Sequence, residues 1–151
     1  MRAAGVHGRR CGAGQATVEI ALVGLVFIIT VIGLIESGRA VWNYNTVAQA
    51  AREGARYAVV HGSRSSDPSG PGSTHYTAPD QDVRITEMVR KYASGLDAAN
   101  LTVTAQWVDG TNERGARVKV TARYGFESIF TGVLGFPSVA LTSSSTMIIT
   151  Y

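Results

Sequence analysis

The sequence predicts an α+β protein in which one long N-terminal helix precedes a short helix and an antiparallel three-stranded sheet. Three observations predict it. Ile20–Ile35 is a sixteen-residue run without a charge. Apolar residues continue beyond it at steps of three and four. From Leu101 onward the apolar period falls to two, the period of a half-buried strand. At 151 residues the chain has the length of one ordinary domain.

The first element is a basic leader, residues 1–14. It holds Arg2, Arg9 and Arg10 and no acid. Removing those three from the 14 Lys and Arg leaves 11 against 11 Asp and Glu, so residues 15–151 are formally neutral. The basic balance belongs to the leader and does not mark a nucleic-acid-binding domain. The single cysteine excludes an internal disulfide and a cysteine-based metal site. His7, His61 and His75 are scattered without a carboxylate cluster, so neither a metal nor another cofactor is expected.

With its flanks, the uncharged run reaches about twenty residues, enough to cross a hydrocarbon core of about 30 Å as a helix. Arginines before it and none of the opposite sign place the N-terminus on the cytoplasmic side and the remainder outside. The run ends in Ile35-Glu36-Ser37-Gly38-Arg39, a poor site for an ordinary signal peptidase. Cys11 precedes the run, which excludes a lipoprotein signal. Glu19 sits at the mouth of the run. A carboxylate at full depth would cost about 2.5–3.5 kcal/mol. If the chain were cut after Gly14, the new amine of Gln15 would lie one helical turn from Glu19 and offset it, in the same chain or a neighbour.

These residues carry a resemblance. Gly14–Leu22 (GQATVEIAL), with Gly, four residues, then Glu, resembles the processing site of type IV-like prepilins in the Flp and pseudopilin form. Ala50–Arg56 (AAREGAR) resembles the second signature of TadE-like proteins, minor pseudopilins or assembly proteins of the tight-adherence (Flp pilus) system. The resemblance runs from about Gly14 to Ala58. It implies a pilin-like first helix, cleavage between Gly14 and Gln15 by a prepilin peptidase, and Glu19 as the residue that sets register in assembly. The family signature falls on Ala50, Ala51, Arg52, Glu53, Gly54, Ala55 and Arg56. Other pilins or pseudopilins, Tad assembly-platform proteins and membrane lipid are the partners it implies; the residues themselves offer no catalytic constellation, so no enzymatic role, cofactor or nucleic acid is expected. The implied location is the bacterial cytoplasmic (inner) membrane, single-pass, with a possible place in a surface pilus. The chain departs from the family pattern at Ile20, where an aromatic residue is usual, and at Gly24–Leu25, where proline is common. The alternative reading is an uncleaved, singly anchored adhesion or binding module.

Beyond the span, Ala40, Tyr44, Val47, Ala51, Ala55 and Ala58 define one face of a helix continuing to about Val60. A helix over residues 15–60 would be about 70 Å long at 1.5 Å per residue. Its small side chains allow close approach of a helix or a sheet, while Arg52 and Arg56 read as a solvated pair. Trp42 falls where an interfacial ring is expected. Residues 61–79 hold three Gly, five Ser and three Pro, and read as a flexible linker or loop with exposed histidines.

Residues 80–151 form the extracytoplasmic domain. Asp80 or Asp82 opens a helix with the stripe Ile85, Met88, Val89, Tyr92 and Leu96, closed by Gly95. Strands follow at Leu101–Trp107, at Ala116–Tyr124 after a turn through DGTNERG, and at Val139–Tyr151 after a glycine-rich connection. Arg114, Arg117, Lys119 and Arg123 read as a solvated outer face and not as a polyanion site, because no aromatic residue is interleaved there. Gly12-Ala13-Gly14 lacks the third glycine and the preceding strand of a dinucleotide loop. A domain of this size is marginal alone, and docking on the first helix would supply the missing buried area.

Overall fold

A computed structural model describes residues 11–78, 80–135 and 137–150. The leader arginines Arg2, Arg9 and Arg10 lie outside the described residues, as do His7, Pro79 and Tyr151. Helix α1 runs from Cys11 to Val60 without interruption. It is followed by β1 (Tyr76–Ala78), β2 (Gln81–Asp82), α2 (Val83–Tyr92), a 3₁₀ turn at Ala98–Asn100, β3 (Leu101–Trp107), β4 (Arg117–Phe126), α3 (Ile129–Leu134) and β5 (Val139–Ile148). The expected α+β class and the antiparallel three-stranded sheet are both present, in the order β3-β4-β5.

The chain divides into two compact units between Gly38 and Arg39. The first contains the apolar half of α1. Its most apolar eighteen-residue window has a mean hydropathy of 2.8, and none of it is buried against protein. Among the described residues α1 is the one helix long and apolar enough to cross a membrane. Its hydroxyls are satisfied internally: Thr30 Oγ1 donates to Val26 O and Ser37 Oγ to Gly33 O, both at 2.8 Å. In lipid, where water is absent, such back-bonding removes an unpaired donor.

The second unit is the domain, and it includes α1 from Arg39 onward. The alternation read from sequence in β3 holds through the strand: Leu101, Val103, Ala105 and Trp107 are buried and the residues between them exposed. Val118, Val120 and Ala122 of β4 point the same way, each fully buried. Against this face pack Ile85 and Val89 of α2 and Val47, Ala50, Ala51, Ala55 and Ala58 of α1. β4 pairs along its whole length with β5, from Arg117 opposite Ile148 to Phe126 opposite Val139.

Several expectations need correction. Tyr44 is half exposed, so the buried face of α1 passes instead through Asn43, Val47, Ala50, Ala51, Gly54, Ala55 and Ala58. The pattern of 3.6 residues per turn favours Asn43 over its neighbour, whatever their polarity. α2 stops at Tyr92, which is exposed, because Ala93 leaves helical geometry and Gly95 follows at φ +83°. The glycine-rich connection after β4 contains a helix, α3, capped by Ser128 and closed by Gly135 at φ +70°.

The described part of the expected linker, 61–78, is a packed loop. Ser69 is buried, its N–H donating to His61 O at 2.7 Å. Asn112 Nδ2 donates to Ser69 O at 3.0 Å and Ser63 N–H to Asn112 O at 2.9 Å. Gly70, at φ +92°, lies so close to the Trp107 ring that a Cβ could not fit. The loop ends in the β1–β2 hairpin, whose Tyr76 meets Trp107 edge-on at 5.4 Å between centroids. Low apolar content was a poor guide here because backbone hydrogen bonds and one tryptophan face, not side-chain burial, fasten the segment.

The organising residue is Asp82, which is buried. One carboxylate oxygen accepts the N–H groups of Arg84 and Ile85, at 3.0 and 3.2 Å, and caps α2. The other accepts Gly70 N–H at 2.8 Å and holds the loop. A cap of this kind satisfies donors that the first helical turn leaves unpaired.

Candidate functional site

The residues singled out in the sequence all fall on α1, in two groups. Gly14, Gln15 and Glu19 are exposed on the first unit, and helical backbone continues before Gly14 to Cys11. Nothing lies within 4 Å of a Cβ placed on Gly14 or Gly24. Glu19 borders a shallow apolar recess lined by Ile20, Val23, Gly24 and Phe27. The recess exists because Gly24 contributes no side chain one turn beyond Ile20. Small-residue notches of this kind let a second helix approach closely within a bilayer. A carboxylate at the rim of an apolar notch calls for a cationic or hydrogen-bonding partner from whatever fills it.

The second group, Ala50–Arg56, faces two ways. Ala50, Ala51 and Ala55 are fully buried. Gly54 lies at the point where α1 meets α2 and β4 together. A Cβ there would come 2.5 Å from Val89 Cγ2, 3.2 Å from Val120 Cγ1 and 3.5 Å from Ile85 Cγ2. The small residues of this segment are therefore a packing requirement. Its polar residues are on the other side: Arg52 and Arg56 are exposed, and Arg56 Nη1 lies 3.4 Å from Glu53 Oε1 in an i,i+3 pair. Glu53 and Arg56 join Tyr57, Val60, Met88 and Tyr92 around an open groove between α1 and α2.

The expected exposed loop histidines are engaged instead. His61 stacks on Tyr57 at 3.8 Å between centroids, with Nδ1 2.8 Å from Tyr57 O. His75 Nε2 is 3.1 Å from Asp67 Oδ1, and Arg84 Nη2 is 3.7 Å from Asp67 Oδ2. Sequence reasoning passed over Asn43 and Glu36, both buried. Their only signal was helical spacing, at 36, 43 and 47, ahead of the small-residue face. Arg117, Lys119 and Arg123 are exposed on the outer sheet face. Arg117 is held by Asp109, with Nη2 to Oδ1 at 2.7 Å, and its guanidinium and backbone N–H lower the Asp109 carboxyl from 3.8 to about 2.

One helix holds both a stretch long and apolar enough to cross a membrane and a small-residue face that packs into the core of an α+β domain, which defines a class of protein whose apolar segment and fold share an element. Residues 14–56 match the family model described as TadE-like protein. This segment is TadE-like, which associates the chain with the Tad pilus. No curated protein and no solved structure matches it.

Proposed function

We propose that the protein is a minor pseudopilin or pilus-assembly component of a tight-adherence pilus, processed between Gly14 and Gln15. The observation that carries this reading is the extent of the family match, residues 14–56. It includes both the Gly14–Glu19 motif and the Ala50–Arg56 segment on one uninterrupted helix. The chain inserts once into the cytoplasmic membrane, with the leader inside and residues 39–151 outside. Removal of the leader gives Gln15 a free ammonium about one turn from Glu19, and the pair is neutral overall at the lipid boundary. Neighbouring pilins or pseudopilins dock against the recess beside Glu19, and the Tad assembly platform drives their addition. The residues of AAREGAR divide their work: the alanines and Gly54 hold the domain to its helix, and Arg52 and Arg56 remain available at the surface.

The test is mass spectrometry of membrane-extracted protein produced with its prepilin peptidase. An N-terminus at Gln15 supports processing. An intact leader with Arg2 in place removes the pseudopilin reading and leaves an uncleaved anchor.

A further inference from the structure

The strands of the β3-β4-β5 sheet contain no Asp or Glu. Their cations, Arg117, Lys119 and Arg123, all sit on β4, the central strand, and all are on its exposed face. Side chains that follow one another on one face of a strand stand about 7 Å apart. Lys119 and Arg123 are therefore roughly 14 Å apart along β4, with Thr121 between them. Periodicity places these groups on one face, and the register shows what stands beside each.

Lys119 is opposite Gln106 of β3 and Thr146 of β5. Thr121 is opposite Thr104 and Ser144, and Arg123 is opposite Thr102 and Thr142. These β3 and β5 neighbours are exposed, as are both cations. Each cation is thus flanked across both ladders by uncharged groups that donate and accept hydrogen bonds. A sheet face shaped only by stability would set an acid opposite a lysine, since cross-strand pairs of opposite charge stabilise. Gln106 has nearly the shape of that acid without its charge. Arg117 is paired, by Asp109 from the turn before β4, with Nη2 to Oδ1 at 2.7 Å. Among the described residues neither Lys119 nor Arg123 has an acidic partner.

We propose that this face binds an acidic polysaccharide. Lys119 and Arg123 meet its carboxylates, and Gln106 and the flanking Thr and Ser hydroxyls meet its sugar hydroxyls. A chain laid along β4 has a positive line beneath it and rows of hydrogen-bonding groups about 5 Å to either side. Charge complementarity sets the sign of the ligand, because uncompensated cations gathered on one face attract anions. The ligand is a sugar polymer and not a nucleic acid, because no aromatic side chain stands among these residues to stack a base. That absence argues against a polyanion that stacks and leaves one recognised by charge and hydroxyls. A lipid surface fits less well, since Thr, Ser and Gln offer no apolar group to enter a bilayer.

The test uses the full chain in neutral detergent with polygalacturonate as the probe, and isothermal titration calorimetry reads the affinity. Binding is expected at low ionic strength and should weaken as salt rises. Lys119→Gln combined with Arg123→Gln should lower the affinity about tenfold or more, through loss of two charge-assisted contacts. Arg90→Gln combined with Lys91→Gln removes the same charge from exposed positions on α2 and should leave the affinity unchanged. Gln106→Glu keeps both cations, adds a favourable cross-strand pair to the fold and should also weaken binding. Equal weakening by the two double variants means attraction to net charge alone and overturns the site. Undiminished binding in Gln106→Glu at unchanged Tm overturns it too. Tighter binding of oligo-dT than of polygalacturonate overturns the assignment to a sugar polymer, and absence of polygalacturonate binding overturns the proposal outright.

Discussion

Gly54 and Val89 are so close that one added carbon would not fit: a Cβ on the glycine would stand 2.5 Å from the valine Cγ2. This contact joins α1 to α2 directly over Val120 of the sheet. Gly54→Ala is expected to lower domain stability by about 1–3 kcal/mol through overpacking. Urea denaturation in detergent checks it, and Val89→Ala should restore part of the loss in the double variant. Gly33→Ala, where the space is open, should leave the domain transition unmoved.

Asp82→Ala removes the cap of α2 and the acceptor for Gly70 N–H together. The expected loss is about 2 kcal/mol or more, since the Ile85 and Gly70 donors are left buried. Asp82→Asn should retain part of it through its remaining oxygen. Protease sensitivity of the 61–78 loop, followed by cleavage mapping, should rise in step with the stability loss.

The Asp109–Arg117 pair gives a small pH dependence. The carboxyl of Asp109 titrates at about 2 in the fold against an ordinary 3.8. Its contribution is therefore complete above 3.8 and is lost as pH falls through that value toward 2. Both groups are on the surface, so salt should weaken the effect. Asp109→Asn is expected to lower Tm slightly at neutral pH, with the difference from the parent protein closing in acid below the ordinary carboxyl range. An unchanged difference at low pH would show that the charge contributes nothing.

Glu19→Ala should leave membrane insertion intact or improved, because it removes a charge at the mouth of the apolar run. Pilus assembly should fail nonetheless if the recess beside Glu19 receives a neighbour's helix. Membrane fractionation and surface pilus yield, measured on the same cells, separate the two effects.

Arg52→Ala and Arg56→Ala test whether the signature arginines serve structure. Both are exposed, so each should change stability by less than about 0.5 kcal/mol. A fall in pilus yield at unchanged Tm assigns them to an intermolecular contact. A fall in both places them in the fold.

The sequence by itself determined the apolar span, because a run of that length without charge has few alternatives. It also determined the inward faces of β3 and β4, because a period of two leaves only one face apolar. It narrowed the start of α2 to Asp80 or Asp82, since an aspartate before an apolar stripe supplies the donors of the first turn with an acceptor, and the structure makes Asp82 the cap. Tertiary structure decided what those rules do not contain. Ala50, Ala51 and Ala55 look alike in sequence to any helix-forming run, and only the sheet beneath them makes their smallness a requirement. Residues 61–78 are too polar to bury a core, yet the Asp82 carboxylate and the Trp107 ring fasten them from positions distant in the chain. Tyr44 and Asn43 are neighbours about 100° apart around the helix axis, and apolarity pointed to the tyrosine while the packing of α1 on the domain buries the asparagine.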